Sequence, residues 1–267
     1  MTQDELAARI VRAMTARGYV IDKGFGEINI VYVEGMDMDG SKNANRPNAY
    51  DDLRILISFR DDKPFIVGMW HATTQTGVRL RDNPVSGARA LGSAIITLGQ
   101  QRCWTVDLHS GKYEALCQRA AVCSVHRDAN KDSRRDGDQI TTGWYGINQH
   151  HGGDSPRENI GGHSAGCLVT PKVKDHETFM RLVKTDPRYR VNPGRAGFVF
   201  RTTVMPADWV LQEYPKPVAE KVLVGLGLSG LGIGTYHLSW TLFCGFLLII
   251  GIAGAVWFWT RKGNQNG

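Results

Sequence analysis

The stretch GWYGINQHHGGDSPRENIGGHSAGCLVTP, residues 143–171, carries two adjacent histidines, His150 and His151, and, after a glycine-rich connector, one cysteine, Cys167. Its flanks on both sides read as strand, with Leu168-Val169 following the cysteine directly. A thiol and an imidazole are the parts of a nucleophile–base pair. The thiol alone is mostly protonated at neutral pH, and a nearby imidazole takes that proton and holds the thiolate as an ion pair. The small residues Ser164-Ala165-Gly166 let a substrate carbonyl come close and leave backbone N–H groups free to face a developing oxyanion. The plainer reading makes Cys167 a small buried apolar residue and places the histidines on a polar loop. The two readings differ in the thiol, since an activated Cys167 is expected to react with iodoacetamide well below the pH of a free cysteine.

Strand residues alternate faces, so His150 and His151 cannot both point at Cys167 if a strand beginning at Tyr145 continues through them. His163, four residues before the cysteine, reads either as a substrate-orienting group or as an ordinary loop residue. The set His150, His151, His163 and Cys167 also has the donor types of a zinc site. His109 and His126 are further imidazoles for which an approach in three dimensions is open.

Outward from this stretch the chain reads as mostly β. Residues 28–33 (INIVYV), 53–59 (LRILISF) and 64–70 (PFIVGMW) are rich in β-branched and aromatic residues, and shorter strands are predicted at 94–98, 101–107, 122–127 and 198–204. Residues 113–119 read as a single helical turn and residues 175–184 as a core-packing helix, with Phe179, Leu182 and Val183 in an apolar stripe. At the N-terminus Thr2-x-x-Glu5 is a capping box, and Leu6, Ile10 and Met14 then recur at helical spacing until Gly18. Residues 127–139 (RDANKDSRRDGDQ) space Asp128, Asn130 and Asp132 like the first ligands of a calcium loop. Ser133 and Gln139 stand where glycine and glutamate are expected, so a solvated charged turn is the stronger reading.

With 267 residues, 42% of them hydrophobic, the chain can bury one sizeable core and a small appendage. The formal net charge of +6 suits an anionic partner, but the basic residues are scattered and no nucleic-acid-binding motif is present. A polyanionic cell wall or an anionic membrane surface suits the charge equally. Five cysteines without a CxxC pair imply no disulfide framework, though the spacing leaves a Cys117–Cys123 bridge open. The N-terminus has acids at Asp4 and Glu5 and no apolar core of signal-peptide length, which speaks against ordinary secretory export.

The C-terminal end differs in kind. From residue 222 to 260 there are thirty-nine residues without Lys, Arg, Asp or Glu, and the twenty-two from Leu238 to Trp259 suffice to cross a bilayer core about 30 Å thick. Trp240, Trp257 and Trp259 fall at the two ends of that run, where amphipathic rings favour the headgroup layer. A single-pass C-terminal anchor in a lipid bilayer is therefore expected. Lys216 and Lys221 before it nearly balance Arg261-Lys262 after it, so flanking charge does not orient the span; absence of a signal peptide makes a cytoplasm-facing, tail-anchored domain the default.

The residues Gly146-Ile147-Asn148-Gln149-His150 and Ser164-Ala165-Gly166-Cys167 resemble the catalytic region of the YkuD-type L,D-transpeptidases, in which a histidine is followed later in the chain by Ser/Thr-His-Gly-Cys. The match is closest to the variant of phage and prophage proteins with Asn-x-His and Ser-Ala-Gly-Cys. The resemblance implies a mostly β, YkuD-like sandwich or barrel with a few short helices. It makes Cys167 the nucleophile and His150 the base, with His151 the spare, and it supplies peptidoglycan stem peptides as substrate. Gly166, Ser164 and His163 are the expected oxyanion and substrate residues, and no cofactor or metal is called for. Ala165 replaces the motif histidine, and Val169 stands where Arg or Asn usually follows the cysteine by two. These departures give the competing expectation of a non-catalytic wall- or membrane-binding protein. The expected layout is an N-terminal helix and strand in 1–47, the catalytic domain in 48–210, a linker in 211–235, the transmembrane helix in 236–260 and a short tail in 261–267. The role so outlined is a transpeptidase, L,D-carboxypeptidase or endopeptidase at the bacterial inner membrane, with wall cleavage during phage lysis as the setting.

Overall fold

The computed structural model describes residues 1–214. In chain order they form α1 (Gln3–Ala16), β1 (Asn29–Glu34), β2 (Asp52–Arg60), β3 (Lys63–Ala72), α2 (Val78–Asp82), β4 (Ser93–Ile96), β5 (Gly99–His109), β6 (Tyr113–Gln118), β7 (Cys123–Asp128) and β8 (Gln139–Gly143). There follow β9 (Gln149–His151), β10 (Leu168–Thr170), α3 (Val173–Val183), α4 (Pro187–Val191), β11 (Phe200–Pro206) and α5 (Ala207–Leu211). The protein is mostly β, as expected.

Eight strands make one sheet in the order β10-β9-β6-β5-β11-β1-β2-β3. Its two edges nearly meet: just beyond β3, the Thr73 N–H donates to Val169 O (2.7 Å), and the Val169 N–H of β10 returns to Thr73 O (3.0 Å). Closure of this kind removes the free edges that an open sheet exposes. The sheet is therefore barrel-like, and β4-β7-β8 form a second, three-stranded sheet.

The first strands read as nearly continuous apolar runs because both of their faces are covered. Ile30 and Tyr32 of β1 and Leu56 of β2 join the interior core with Trp104, Leu116, Leu168 and Phe179. Val31, Val33, Leu53, Ile55 and Ile57 point the other way, onto Leu6, Ile10 and Met14 of α1 and Val210 of α5. Thr2 caps α1 by accepting from the Glu5 N–H (3.2 Å), and Gly18 leaves it at φ +66°, as the sequence pattern predicts. The α1 and β1 elements are part of the architecture, since β1 lies between β11 and β2 within the sheet.

A buried polar group sits inside the barrel. Thr74 Oγ1 lies 2.5 Å from Glu34 Oε1 and 2.9 Å from Asp52 Oδ2, while Arg135 grips both oxygens of Glu34. The Thr74 hydroxyl thus has one proton to share between two carboxyl groups. Asp52 also accepts from the Gly35 N–H (3.0 Å) and the Thr74 N–H (2.7 Å), and burial together with the Glu34 charge pushes its carboxyl up to about 7.

One local expectation is corrected. Residues 113–119 are not a helical turn: all but the last form β6, which pairs with β5 through a tight hairpin where Ser110 and Gly111 take φ of 51° and 70°. Strand pairing overrides the helix-like spacing of a six-residue segment. The Pro-punctuated region after residue 206 begins with α5, whose Ala207 and Val210 are buried. In residues 127–139 Asp128 turns both carboxylate oxygens onto its own loop, accepting from Asp132 N (2.9 Å) and Ser133 N (3.1 Å), and Gln139 opens β8. The expected transmembrane helix and tail lie outside the described residues. Among the described residues, no helix is long and apolar enough to cross a membrane.

Candidate active site

Cys167 leads directly into β10, at the end of a turn built by its predecessors. Buried Ser164 donates from Oγ to Cys167 O (2.8 Å) and accepts from Gly166 N (3.2 Å), and Ser164 O accepts from Gly77 N (3.0 Å). Gly166 takes φ +120°, and a Cβ there would lie 2.8 Å from both Cβ and O of Ala94. Only glycine fits. Ser164 and Gly166 thus hold Cys167 in place, and the Gly166 N–H is already used. Among the described residues the Cys167 N–H has no hydrogen-bond partner, which makes it the donor available to an oxyanion.

Strand β10 pairs with β9 in parallel, setting Val169 beside His150 and Thr170 beside His151. Alternation then puts Cys167, Val169, Asn148 and His150 on one face and Leu168, Gln149 and His151 on the other. The side chains agree: Val169 packs with Tyr50 and Ile160, whereas Leu168 belongs to the barrel interior. The Cys167 Sγ accepts from Asn148 N (3.4 Å) and donates to Gly146 O (3.5 Å). Among the described residues no hydrogen bond joins Sγ to an imidazole. The thiol must rotate, or a water must intervene, before its proton reaches His150.

Hydrogen bonds assign the histidine tautomers. His150 Nδ1 lies 2.9 Å from His151 O; a carbonyl only accepts, so Nδ1 carries the proton and Nε2 is the basic atom. Asn148 Oδ1 accepts from Gln118 N (2.9 Å), which turns Nδ2 toward His109 Nδ1 (3.1 Å). His151 Nδ1 accepts from Gly153 N (3.1 Å). His176 Nε2 donates to Glu114 O (2.9 Å), leaving its Nδ1 to face Arg54. In neutral His109 and His151 the proton is therefore on Nε2. Of the three imidazoles on β5 and β9, His150 alone has an unprotonated Nε2.

Burial sets the charge state. It pushes the Cys167 thiol up to about 11, with the Asn148 N–H opposing, and pushes His150 down to about 3 with help from the neighbouring His109. Both groups are neutral at rest. Burial thus works against the preformed thiolate–imidazolium pair that the sequence reading expects.

Tyr113 connects the two faces. Its ring stacks on His151 (centres 4.0 Å apart), and its hydroxyl lies 3.5 Å from His150 Nδ1. A cavity of about 370 Å³, bounded by Tyr113, His151, His176, Arg181 and Lys184, opens on the His151 side; Cys167 does not line it. His163 is exposed, and His126 belongs to β7 of the small sheet, paired with Ile95 and Ile140. Because His150 and His151 diverge, the zinc reading loses its donor set, and among the described residues no three His, Cys, Asp or Glu side chains are placed to hold a metal ion. The four cysteines in the described region are free thiols, Cys117 and Cys123 included. Sequence reasoning passed over Asn148, Tyr113 and His176; only Asn148 had a signal, its place in the Gly-Ile-Asn-x-His segment. No protein-family model matches this chain, and no curated protein matches its sequence.

Proposed function

We propose that this protein is a cysteine acyl-transfer enzyme acting on amide bonds of peptidoglycan stem peptides, L,D-transpeptidase-like, and anchored by residues 236–260 in the bacterial inner membrane. The observation that carries the chemistry is the shared sheet face of Cys167 and His150, the latter with an unprotonated Nε2. The substrate class, the YkuD-like assignment and the phage-lysis setting rest on the motif resemblance; the anchor rests on the apolar run. In the reaction Sγ attacks the substrate carbonyl carbon as its proton passes to His150 Nε2. The Cys167 N–H faces the oxyanion, His150 returns the proton to the leaving amine, and a thioester remains on Cys167. Water then gives a carboxypeptidase or endopeptidase, and an amine gives a transpeptidase.

A second reading, a non-catalytic wall- or membrane-binding protein, is favoured by the thiol's bond to Gly146 O and by the burial that keeps it protonated. Incubation of the protein with purified sacculi, followed by mass spectrometry of soluble and digested muropeptides, separates the two. New products from wild type and none from Cys167→Ala support the enzyme. Sacculus binding without products, at equal strength in both proteins, supports the binder.

A further inference from the structure

Arg54 of β2 is fully buried and spans the barrel interior to the strands that carry the site. Its Nη2 donates to the carbonyl oxygens of His150 (3.3 Å) and Leu168 (3.1 Å), its Nε to the Tyr32 hydroxyl (2.6 Å), and its Nη1 faces His176 Nδ1 (3.4 Å). The guanidinium lies over the Phe179 ring, 4.3 Å from its centre. Every one of these partners is neutral. Asp175 acts on Arg54 through its charge without a hydrogen bond, and among the described residues no carboxylate forms a salt bridge with it. A buried cation without an acid is costly, and a barrel wall needs no guanidinium merely to close.

We propose that Arg54 is a positioning residue for the Cys167–His150 site: from inside the barrel it ties the main chain of β9 to that of β10 and sets a fixed positive charge behind their imidazoles. The inference rests on the reading of Cys167 and His150 as nucleophile and base. Two carbonyls on adjacent strands share one planar Nη2, so the guanidinium fixes the strand register that puts His150 on the thiol's face. The titratable groups around it are Tyr32 of β1, His150 and His151 of β9, and Asp175 and His176 of α3. For the three histidines the Arg54 charge opposes protonation, in addition to the larger effect of burial. His150 is thereby kept ready to accept a proton.

The test compares Arg54→Lys and Arg54→Met with wild type in the full-length protein. Lysine keeps the charge but has one nitrogen in place of the three that Arg54 sets against Tyr32, His176 and the two carbonyls; methionine removes charge and donors alike. Two readouts need no substrate. Hydrogen exchange at the Leu168 and Gly152 amides, which bond Asn148 O and Thr170 O across the β9–β10 pair, is expected to quicken at least tenfold in both variants. Imidazole NMR titration is expected to move the His150 and His176 midpoints upward in Arg54→Met and to leave them near wild type in Arg54→Lys. On sacculi, kcat is expected to fall at least tenfold in Arg54→Lys with KM within twofold. Wild-type exchange in a folded Arg54→Lys protein, or unmoved midpoints in Arg54→Met, overturns the proposal. Should wild type not act on sacculi at all, the function falls while exchange and titration still decide the role of Arg54. Should Arg54→Met fail to fold, exchange in Arg54→Lys decides.

Discussion

The imidazole of His109 lies flat against that of His150, with ring centres 4.1 Å apart and planes inclined by 20°. Burial holds each ring toward the neutral form, and for His150 the neighbouring His109 adds to it. His109 is also tied by Asn148, whose backbone N–H meets the Cys167 sulfur. One asparagine thus connects the thiol to the imidazole pair.

The first expectation is a split between neighbours. His150 shares the face of Cys167 and has the free Nε2, whereas His151 points across the sheet to stack on Tyr113. His150→Ala is expected to lower turnover on sacculi by at least about a hundredfold, the lower range for loss of a general base, and His151→Ala by far less. Steady-state rates of the two variants decide. A large loss only at His151 would reassign the base.

Replacement of the thiol tests the nucleophile with little structural disturbance. Cys167 is half-buried, and its sulfur makes only two weak backbone contacts. Cys167→Ala is expected to abolish product formation while melting cooperatively within a few degrees of wild type, as read by circular dichroism. Residual turnover at the wild-type rate would exclude the thiol mechanism.

Much of this site could be read in the sequence because its signals are local. Gly166 precedes the cysteine, strand residues flank it, and alternation alone separates His150 from His151. Tyr113, His176 and Arg54 lie far from Cys167 along the chain and reach it only through sheet order, which no short window contains. The segment 113–119 is misleading because seven residues with apolar spacing fit either period until a partner strand chooses. The charge state of Cys167 was likewise invisible, since it depends on how deeply the thiol is enclosed.

Gly166 gives a prediction about stability. Its φ of +120° strains any other residue, and an added Cβ would press on the Ala94 backbone oxygen at 2.8 Å. Gly166→Ala is expected to destabilise the fold by about 2 kcal/mol or more, combining backbone strain with overpacking. Urea unfolding measures it. A loss under about 0.5 kcal/mol would show that the turn does not depend on glycine.

Acid stability supplies the last prediction. Burial lowers His150 to about 3 and His176 to about 2, so between those values and the ordinary 6.5 the unfolded chain binds protons that the native state refuses. Each histidine therefore removes about 1.4 kcal/mol of stability per pH unit as pH falls below 6.5, until its folded value is reached. Asp52 works in the opposite sense. Its carboxyl is raised from 3.8 to about 7, so the native state holds the extra proton and gains stability as pH falls through that window. Two histidines outweigh one aspartate, and net stability is expected to fall from pH 6.5 toward pH 4. Asp52→Asn cannot titrate, so it should steepen that fall by about 1.4 kcal/mol per pH unit. Urea midpoints at half-unit pH steps in both proteins measure the two slopes. Parallel slopes would place the proton elsewhere than on Asp52.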